Sequence, residues 1–472
     1  MSCTTILVGR KASYDGSTMI SRNDDSQSGK YTPKKFVVVH SEDQPRHYQS
    51  VLSKFSMDLP DDPMRYTAVP NAVPGEGIWA ACGVNECNVA VTATETITSN
   101  VRVLGADPLV EDGFGEEDIV VLTLPYIHSA REGVLRLGSL LEQYGTYEMN
   151  AIAFQDDREI WWLETIGGHH WMARRVPDDA YVVMPNQLGI DLFDFGDAFG
   201  AQKDYLCSKD LMDFVMENHL DLNPGRLFDP RAAFGSHDDA DHVYNTPRAW
   251  YILKYFNPVL DITPESDDLP WCMIPKRHIT IEDIKYLQSS HYQGTPFDPY
   301  SQREHAEQGL YRPIGVNRTS FMSIIQMRPS KPEPIRAVEW LCYGCNTFNV
   351  MVPLYTSIDK VPEYLSNTTN EVTTDNFYWN SRMIGALSDA HYQKCINHIE
   401  HYQEAVHAQG YAILKEYDEK ICAALPNDCT ALCEEANQKA ADMAKKETAK
   451  TLGEVLYEAS NAMKNSYARS DH

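Results

Sequence analysis

At 472 residues, with 43% hydrophobic and 10% aromatic side chains, the chain can bury a large core and is not of disordered composition. Its 67 acidic residues against 41 basic ones give a net charge of −26, which argues against nucleic acid or an anionic membrane as a main partner. It lacks an apolar run of about 18 residues and a basic-then-apolar leader, so neither a membrane span nor a signal peptide is expected. Eleven cysteines, an odd number spread over a long chain, read as reduced thiols in a cytoplasmic protein.

The first half is rich in strand patterns. TTILVG, STMISR, KKFVVVH, GIWAACGV, NVAVTATET, NAIAFQD, EIWWLETIG, HHWMARRV and AYVVMPNQ all have β-branched or aromatic composition, with turn formers such as Asp15-Gly16 and Asp156-Asp157 between them. Within them, 117–144 keeps helical spacing through Leu122, Ile127, Val134, Leu137 and Leu141, with Pro125 expected in its first turn. A second helix is expected over about 202–219. Residues 223–300 are rich in Pro and Asp with short elements, and 318–328 and 335–355 return to strand patterns. From Asp375 to about Ile421 and from Thr430 to about Tyr467 the sequence is polar and helical, with Leu425-Pro426-Asn427-Asp428 as the turn between two long helices.

Many strands without strict βαβ alternation argue for an α+β fold of two stacked sheets covered by helices. Residues 3–374 are expected to form the main domain. Residues 375–472 would form a C-terminal helical extension, packed on the core or used in a homo-oligomer contact.

Cys3 stands directly before the first strand. If Met1 and Ser2 are removed, it carries both a thiol and a free α-amine. An α-amine titrates at about 7.7–8.0 and a thiol at about 8.5, so the amine can take the thiol proton near neutral pH. A nearby arginine would favour the thiolate. Arg22-Asn23-Asp24-Asp25 follows Gly16 to Ser21, the second predicted strand, and a hairpin turning at Ser13–Asp15 would bring Arg22 to Cys3.

These residues resemble the N-terminal-nucleophile hydrolases of the cholylglycine-hydrolase type. Within that group, C-T-T-x-L-V-G-x-K-A-x-x-D-G-S-T-x-I-x-R-x-x-D resembles the cysteine dipeptidases of the dipeptidase A family. Gly83-Val84-Asn85-Glu86, Trp161 to Glu164, Gly167 to Trp171, Pro185-Asn186-Gln187 and Tyr244 to Arg248 extend the likeness over nearly the whole chain. The resemblance implies a four-layer αββα fold, loss of the residues before the nucleophile, and amide hydrolysis through a cysteine acyl-enzyme without a cofactor or metal. It implies Cys3 as nucleophile and α-amine base, Arg22 beside the thiolate, Asp25 holding the amine, Asn186 donating to the oxyanion, and Arg248 supporting the site. The second oxyanion donor falls near Thr94 or Glu95 and is left unassigned. For a dipeptide substrate, Asp24, Glu95 and Glu164 are candidates for the amine end, and loops 191–200 and 228–245 for the walls of a closed pocket.

Other clusters read as structural. Cys342 and Cys345 have CxxC spacing but no second pair. His169 and His170 would point to opposite faces of a strand and could not easily share a metal. His237 and His242 flank an acidic loop, and His398 and His401 lie on a helix. Two rivals stand beside the dipeptidase expectation. One is an acylase on N-acyl amides of the penicillin V or conjugated bile acid type. The other is a non-enzymatic interaction protein that keeps Met1-Ser2.

Overall fold

A computed structural model describes residues 2–223, 227–424 and 429–465, apart from the side chains of residues 2 and 93–95. Two antiparallel sheets form its centre. The first has seven strands in the order Cys272–Met273, Tyr181–Met184, Ser2–Val8, Thr18–Asp25, Thr319–Met327, Ala337–Tyr343 and Val352–Tyr355. The second has eight, in the order Tyr205–Cys207, His170–Arg175, Ile160–Ile166, Asn150–Gln155, Ala90–Thr96, Ala80–Asn85, Tyr66–Pro70 and Val37–Val39. All nine segments read as strands in the first half of the sequence contribute a strand to these sheets.

The sheets stack face to face, with Ser2–Val8 and Thr18–Asp25 against Ala90–Thr96 and Asn150–Gln155. Helices Glu116–Thr123 and Ala130–Tyr144 cover the outer face of the second sheet. Helices Ile281–Gln288, Phe377–Ala390, Tyr392–Ala424 and Thr430–Asn461 cover the first. The fold is therefore α+β in four layers, αββα. Strand alternation divides the core accordingly. Trp162 points into the cluster between the sheets, and Trp161 into the one beneath Ala130–Tyr144.

The structure corrects three helix boundaries. The helix expected over 117–144 is two, split by the 3-10 turn Leu124–Tyr126. Pro125 lies in that turn because it has no N–H to continue a helix. Ser129 then starts the second helix by accepting from Glu132 N at 3.2 Å. Asn85 takes up carbonyls left by the break, donating from Nδ2 to Leu124 O at 2.9 Å and Ile127 O at 2.8 Å. The helix expected over 202–219 is only Leu211–Glu217, because Tyr205–Cys207 pairs as an edge strand with Met172–Arg174. The stretch from Asp375 is broken at His391 into two helices. The expected turn at 425–428 lies outside the described residues.

The two long C-terminal helices are tied to the first sheet by buried polar groups. Asp418 accepts from Arg328 at 2.9 and 3.0 Å and from Tyr355 Oη at 2.7 Å. Asn437 exchanges hydrogen bonds with Tyr355 N and O at 2.8 and 2.9 Å, standing where another strand would pair with that edge. Among the described residues no helix is long and apolar enough to cross a membrane.

Between the sheets, Glu339 accepts from Ser323 Oγ at 3.0 Å and from Cys82 Sγ at 3.3 Å. Burial pushes its carboxyl up to about 7. The unfolded chain titrates glutamate at about 4.3. The folded protein therefore binds the extra proton between those values, and this contribution to stability falls as pH rises through that window. Glu339→Gln is expected to flatten that loss, read as a smaller difference in urea midpoint between pH 5 and pH 8 than in the parent protein.

Candidate active site

The first two strands pair in one register, with Cys3 opposite Asp24 and Thr5 opposite Arg22. The turn between them uses Asp15, which accepts from Ser17 N at 3.1 Å, and Gly16, whose φ of 82° suits a residue without Cβ. Alternation sends Cys3, Arg22 and Asp24 toward the second sheet, and Thr4, Asn23 and Asp25 to the opposite face. Arg22 is fully buried and its Nη2 lies 2.9 Å from Cys3 Sγ. The same nitrogen lies 3.4 Å from Asp24 Oδ1 and 3.5 Å from Glu116 Oε1.

Arg248, on helix Thr246–Phe256, gathers the other side of the site. Its guanidinium donates to the Cys3 carbonyl, to Thr4 Oγ1 at 2.8 Å, to Asn186 Oδ1 at 2.8 Å, to Asn245 Oδ1 at 2.6 Å and to Tyr244 O at 2.7 Å. Asn186 Oδ1 also accepts from Cys3 N at 3.2 Å, and Asn186 Nδ2 donates to Thr96 O at 3.0 Å. Arg248 has only donors, so it fixes which end of the Asn186 amide is the oxygen. Cys3, Arg22, Asn186 and Arg248 thus meet at the end of the first strand.

Asp25 is placed differently from the amine-holding position that the family resemblance implies. Its fully buried carboxylate accepts from Arg312 Nη2 and from Thr319 Oγ1 at 2.6 Å, on the face of the sheet away from the thiol.

Two of the three carboxylates considered for a substrate amine are engaged elsewhere. Asp24 pairs with buried Lys34 at 2.5 Å. Burial works against its charge, but Lys34 and Arg22 outweigh burial and hold it below the usual carboxylate range. Glu164 is also buried, accepting from Gly189 N at 2.7 Å and Trp162 Nε1 at 2.9 Å, and burial pushes it up to about 7. It anchors the loop after Tyr181–Met184. The side chain of Glu95, like that of Thr94, lies outside the described residues.

A cavity of about 250 Å³ opens beside this cluster, with Glu116 in its wall. Its other walls include Lys30, Asn71, Trp79, Tyr147 and Glu148 rather than the 191–200 and 228–245 loops. Residues Arg231, Ser236 and His237 of the latter line a void of only about 30 Å³ behind Pro185 and Gln187. Glu116, Arg312 and Thr319 are absent from the sequence-derived site. Glu116 belongs to an acidic run at a helix start, an ordinary pattern there.

The remaining clusters have local partners. His169 and His170 both reach Asp107, at 2.9 and 2.7 Å, because His169 lies in the turn after Gly167 and the strand begins only at His170. Burial opposes the charge of Asp107, but hydrogen bonds from the two histidines hold it at about 2. His242 pairs with Asp267 at 2.8 Å, and Cys342 and Cys345 carry buried free thiols. Among the described residues no cluster of three or more His, Cys, Asp or Glu could hold a metal ion.

Removing one partner of a buried pair leaves an uncompensated charge, whereas an exposed pair contributes little. Arg312→Met is therefore expected to cost about 3–5 kcal/mol of unfolding free energy through Asp25. Lys54→Met, which breaks an exposed pair with Asp112, should cost under about 1 kcal/mol, both read from urea unfolding.

The model of peptidase family C69 matches residues 2–405. The chain is 55% identical, over 100% of both chains, to the probable dipeptidase A of Streptococcus pyogenes serotype M3 (strain SSI-1). It is 50% identical, again over 100% of both, to a dipeptidase of Bifidobacterium longum (strain NCC 2705). It is 45% identical to dipeptidase A of Lactobacillus helveticus, covering 98% of each. With the family match spanning most of its length and these full-length relatives beside it, the chain belongs to peptidase family C69.

Proposed function

We propose that the protein is a cytoplasmic cysteine-type dipeptidase, an N-terminal-nucleophile hydrolase in which removal of Met1 and Ser2 makes Cys3 the catalytic terminus. The observation that carries this reading is the double engagement of Cys3. Its Sγ lies 2.9 Å from Arg22 Nη2, and its N lies 3.2 Å from Asn186 Oδ1. A guanidinium against sulfur favours the thiolate. Asn186 Oδ1 would orient the α-amine once that nitrogen is freed, and Arg248 holds both Asn186 and the Cys3 carbonyl in place. Asp25, tied to Arg312, acts as a positioning residue for the end of the second strand.

In this mechanism the α-amine takes the thiol proton and the thiolate attacks the scissile carbonyl carbon. Asn186 Nδ2 donates to the tetrahedral oxyanion, a contact of the kind worth about 3–4 kcal/mol in the transition state. As the C–N bond breaks, the α-ammonium returns the proton to the leaving amine and a thioester remains. The amine then takes a proton from water, whose oxygen attacks the thioester carbon; the C–S bond breaks, the α-ammonium returns that proton to the sulfur, and the acyl group leaves as a carboxylic acid. The relatives named dipeptidase support small peptides as the substrates. The acidic cavity supports them over N-acyl amides, which would call for an apolar acyl pocket.

The test is the N-terminal residue and intact mass of the purified protein, beside a panel of dipeptides, end-blocked longer peptides and penicillin V. The mature chain is expected to begin at Cys3 and to hydrolyse dipeptides above all other substrates, with Cys3→Ala inactive. A chain that retains Ser2 and is fully active as Cys3→Ala would overturn the reading. Faster turnover of penicillin V than of any dipeptide would leave the nucleophile but replace the substrate.

A further inference from the structure

The Cys3 sulfur and the Asp24 carboxylate meet on one guanidinium nitrogen. Arg22 Nη2 lies 2.9 Å from Cys3 Sγ and 3.4 Å from Asp24 Oδ1. The two groups are therefore within about 6 Å of each other, a range over which one negative charge disfavours another. Asp24 gives the guanidinium a second anchor, which holds its donors toward the sulfur. Left alone, the same carboxylate would repel a thiolate and compete with it for Arg22.

Lys34 answers that charge from the other sheet. It is fully buried, and among the described residues Asp24 is the one acid within 4 Å of its Nζ, at 2.5 Å from Oδ2. The two cations thus take different oxygens of Asp24, Arg22 beside Oδ1 and Lys34 beside Oδ2. Of the two, Lys34 does more to keep Asp24 ionised. Its segment extends the pairing of Val37–Val39 with Tyr66–Pro70. Lys34 bridges Asn71, Ala72 N donates to Pro33 O at 2.7 Å, and Lys35 N donates to Pro70 O at 3.3 Å. The backbone therefore fixes the segment without using the ammonium. Nζ sits 5.4 Å from the ring centre of Phe321, the residue opposite Asp24 on the next strand. Stability alone does not account for such a pair, since apolar residues of similar volume commonly serve a core as well or better.

We propose that Lys34 is a positioning residue for the thiolate: by cancelling the charge of Asp24, it lets that carboxylate orient Arg22 without repelling the Cys3 sulfur. This rests on the reading of Cys3 as nucleophile. Other charged and titratable groups face the same trio. Glu116, whose N–H donates to Glu148, lies 3.5 Å from Arg22. Cys82, with Glu339 behind it, faces Arg22 from strand Ala80–Asn85. Tyr378 of helix Phe377–Ala390 lies toward Asp24, and Arg248 holds the Cys3 carbonyl. Asp25 and Arg312 form their own pair on the opposite face of the strand. Substitutions at Lys34 and Asp24 leave all of these in place, so a change in the thiol is read against a constant background.

The test is the pH dependence of Cys3 alkylation by iodoacetamide, read on the Cys3 peptide by mass spectrometry. Four proteins are compared: the parent, Lys34→Met, Asp24→Asn and the double variant. Lys34→Met leaves a lone carboxylate beside the sulfur and is expected to raise the apparent thiol pKa by about one unit or more. Below the parent pKa, alkylation should slow about tenfold per unit, and kcat/KM on alanyl-alanine should fall with it and recover as pH rises. Asp24→Asn leaves a lone cation and should lower the pKa. The double variant removes both charges, keeps an acceptor for Arg22, and should return to the parent value. A merely structural contact would leave the double variant at least as impaired as Lys34→Met. If Lys34→Met does not fold, the step from Asp24→Asn to the double variant reads the same lysine, and equal pKa values there would overturn the proposal. So would an unchanged pKa in Lys34→Met, or a double variant that does not return toward the parent. Full dipeptide hydrolysis after complete alkylation of Cys3 would instead remove the nucleophile reading beneath it.

Discussion

Everything at the thiol depends on one strand register. With Cys3 opposite Asp24 and Thr5 opposite Arg22, the sulfur, the guanidinium and the Asp24 carboxylate share a face. A slip of one residue would turn Arg22 to the opposite face and bring Asp25 to the sulfur side. The register is held because Thr18–Asp25 is buried along its whole length, between the second sheet and the Ile281–Gln288 layer. It is also pinned at both edges, by Tyr181–Met184 beside the first strand and Thr319–Met327 beside the second.

On that frame sits an unusual load of buried charge. Desolvation makes each such group expensive unless it is paired and hydrogen-bonded. Arg248 meets the requirement by placing donors on five different acceptors, two of them in the Cys3-Thr4 segment itself. Asp25 meets it with Arg312 and Thr319, and Asp24 with Lys34. The cost of these groups is offset locally, so the surrounding core can remain apolar.

Much of this is legible in the sequence where the cause is local. The strands show because β-branched runs lie between turn formers, and Arg22 meets Cys3 because a tight hairpin joins neighbouring segments. Periodicity misleads over 117–144, where apolar spacing continues through Pro125 although the backbone does not. Asp24 and Glu164 draw attention as acids near matching motifs. Their partners, Lys34 and the backbone at Gly189, are contacts that no spacing rule reveals. The same holds for Arg312, 287 residues from Asp25 in the chain. Glu116 is hidden for another reason: an acidic helix start looks alike whether it caps a helix or faces a buried arginine.

The placement of the first strand also has a consequence for when the site can exist. The neighbours that complete it come from Tyr181–Met184, Arg248 and Thr319–Met327, which are made long after Cys3 has left the ribosome. Until then the first hairpin has no outer strands and no buried arginine to hold it, and a lone hairpin is marginal in water. Pairings across such sequence distances also form slowly. The nascent chain therefore carries an unassembled cysteine through most of its synthesis. The arginine-flanked thiol cluster is assembled only when some two-thirds of the polypeptide has been delivered, so a growing chain carries Cys3 without the surroundings that the folded protein gives it.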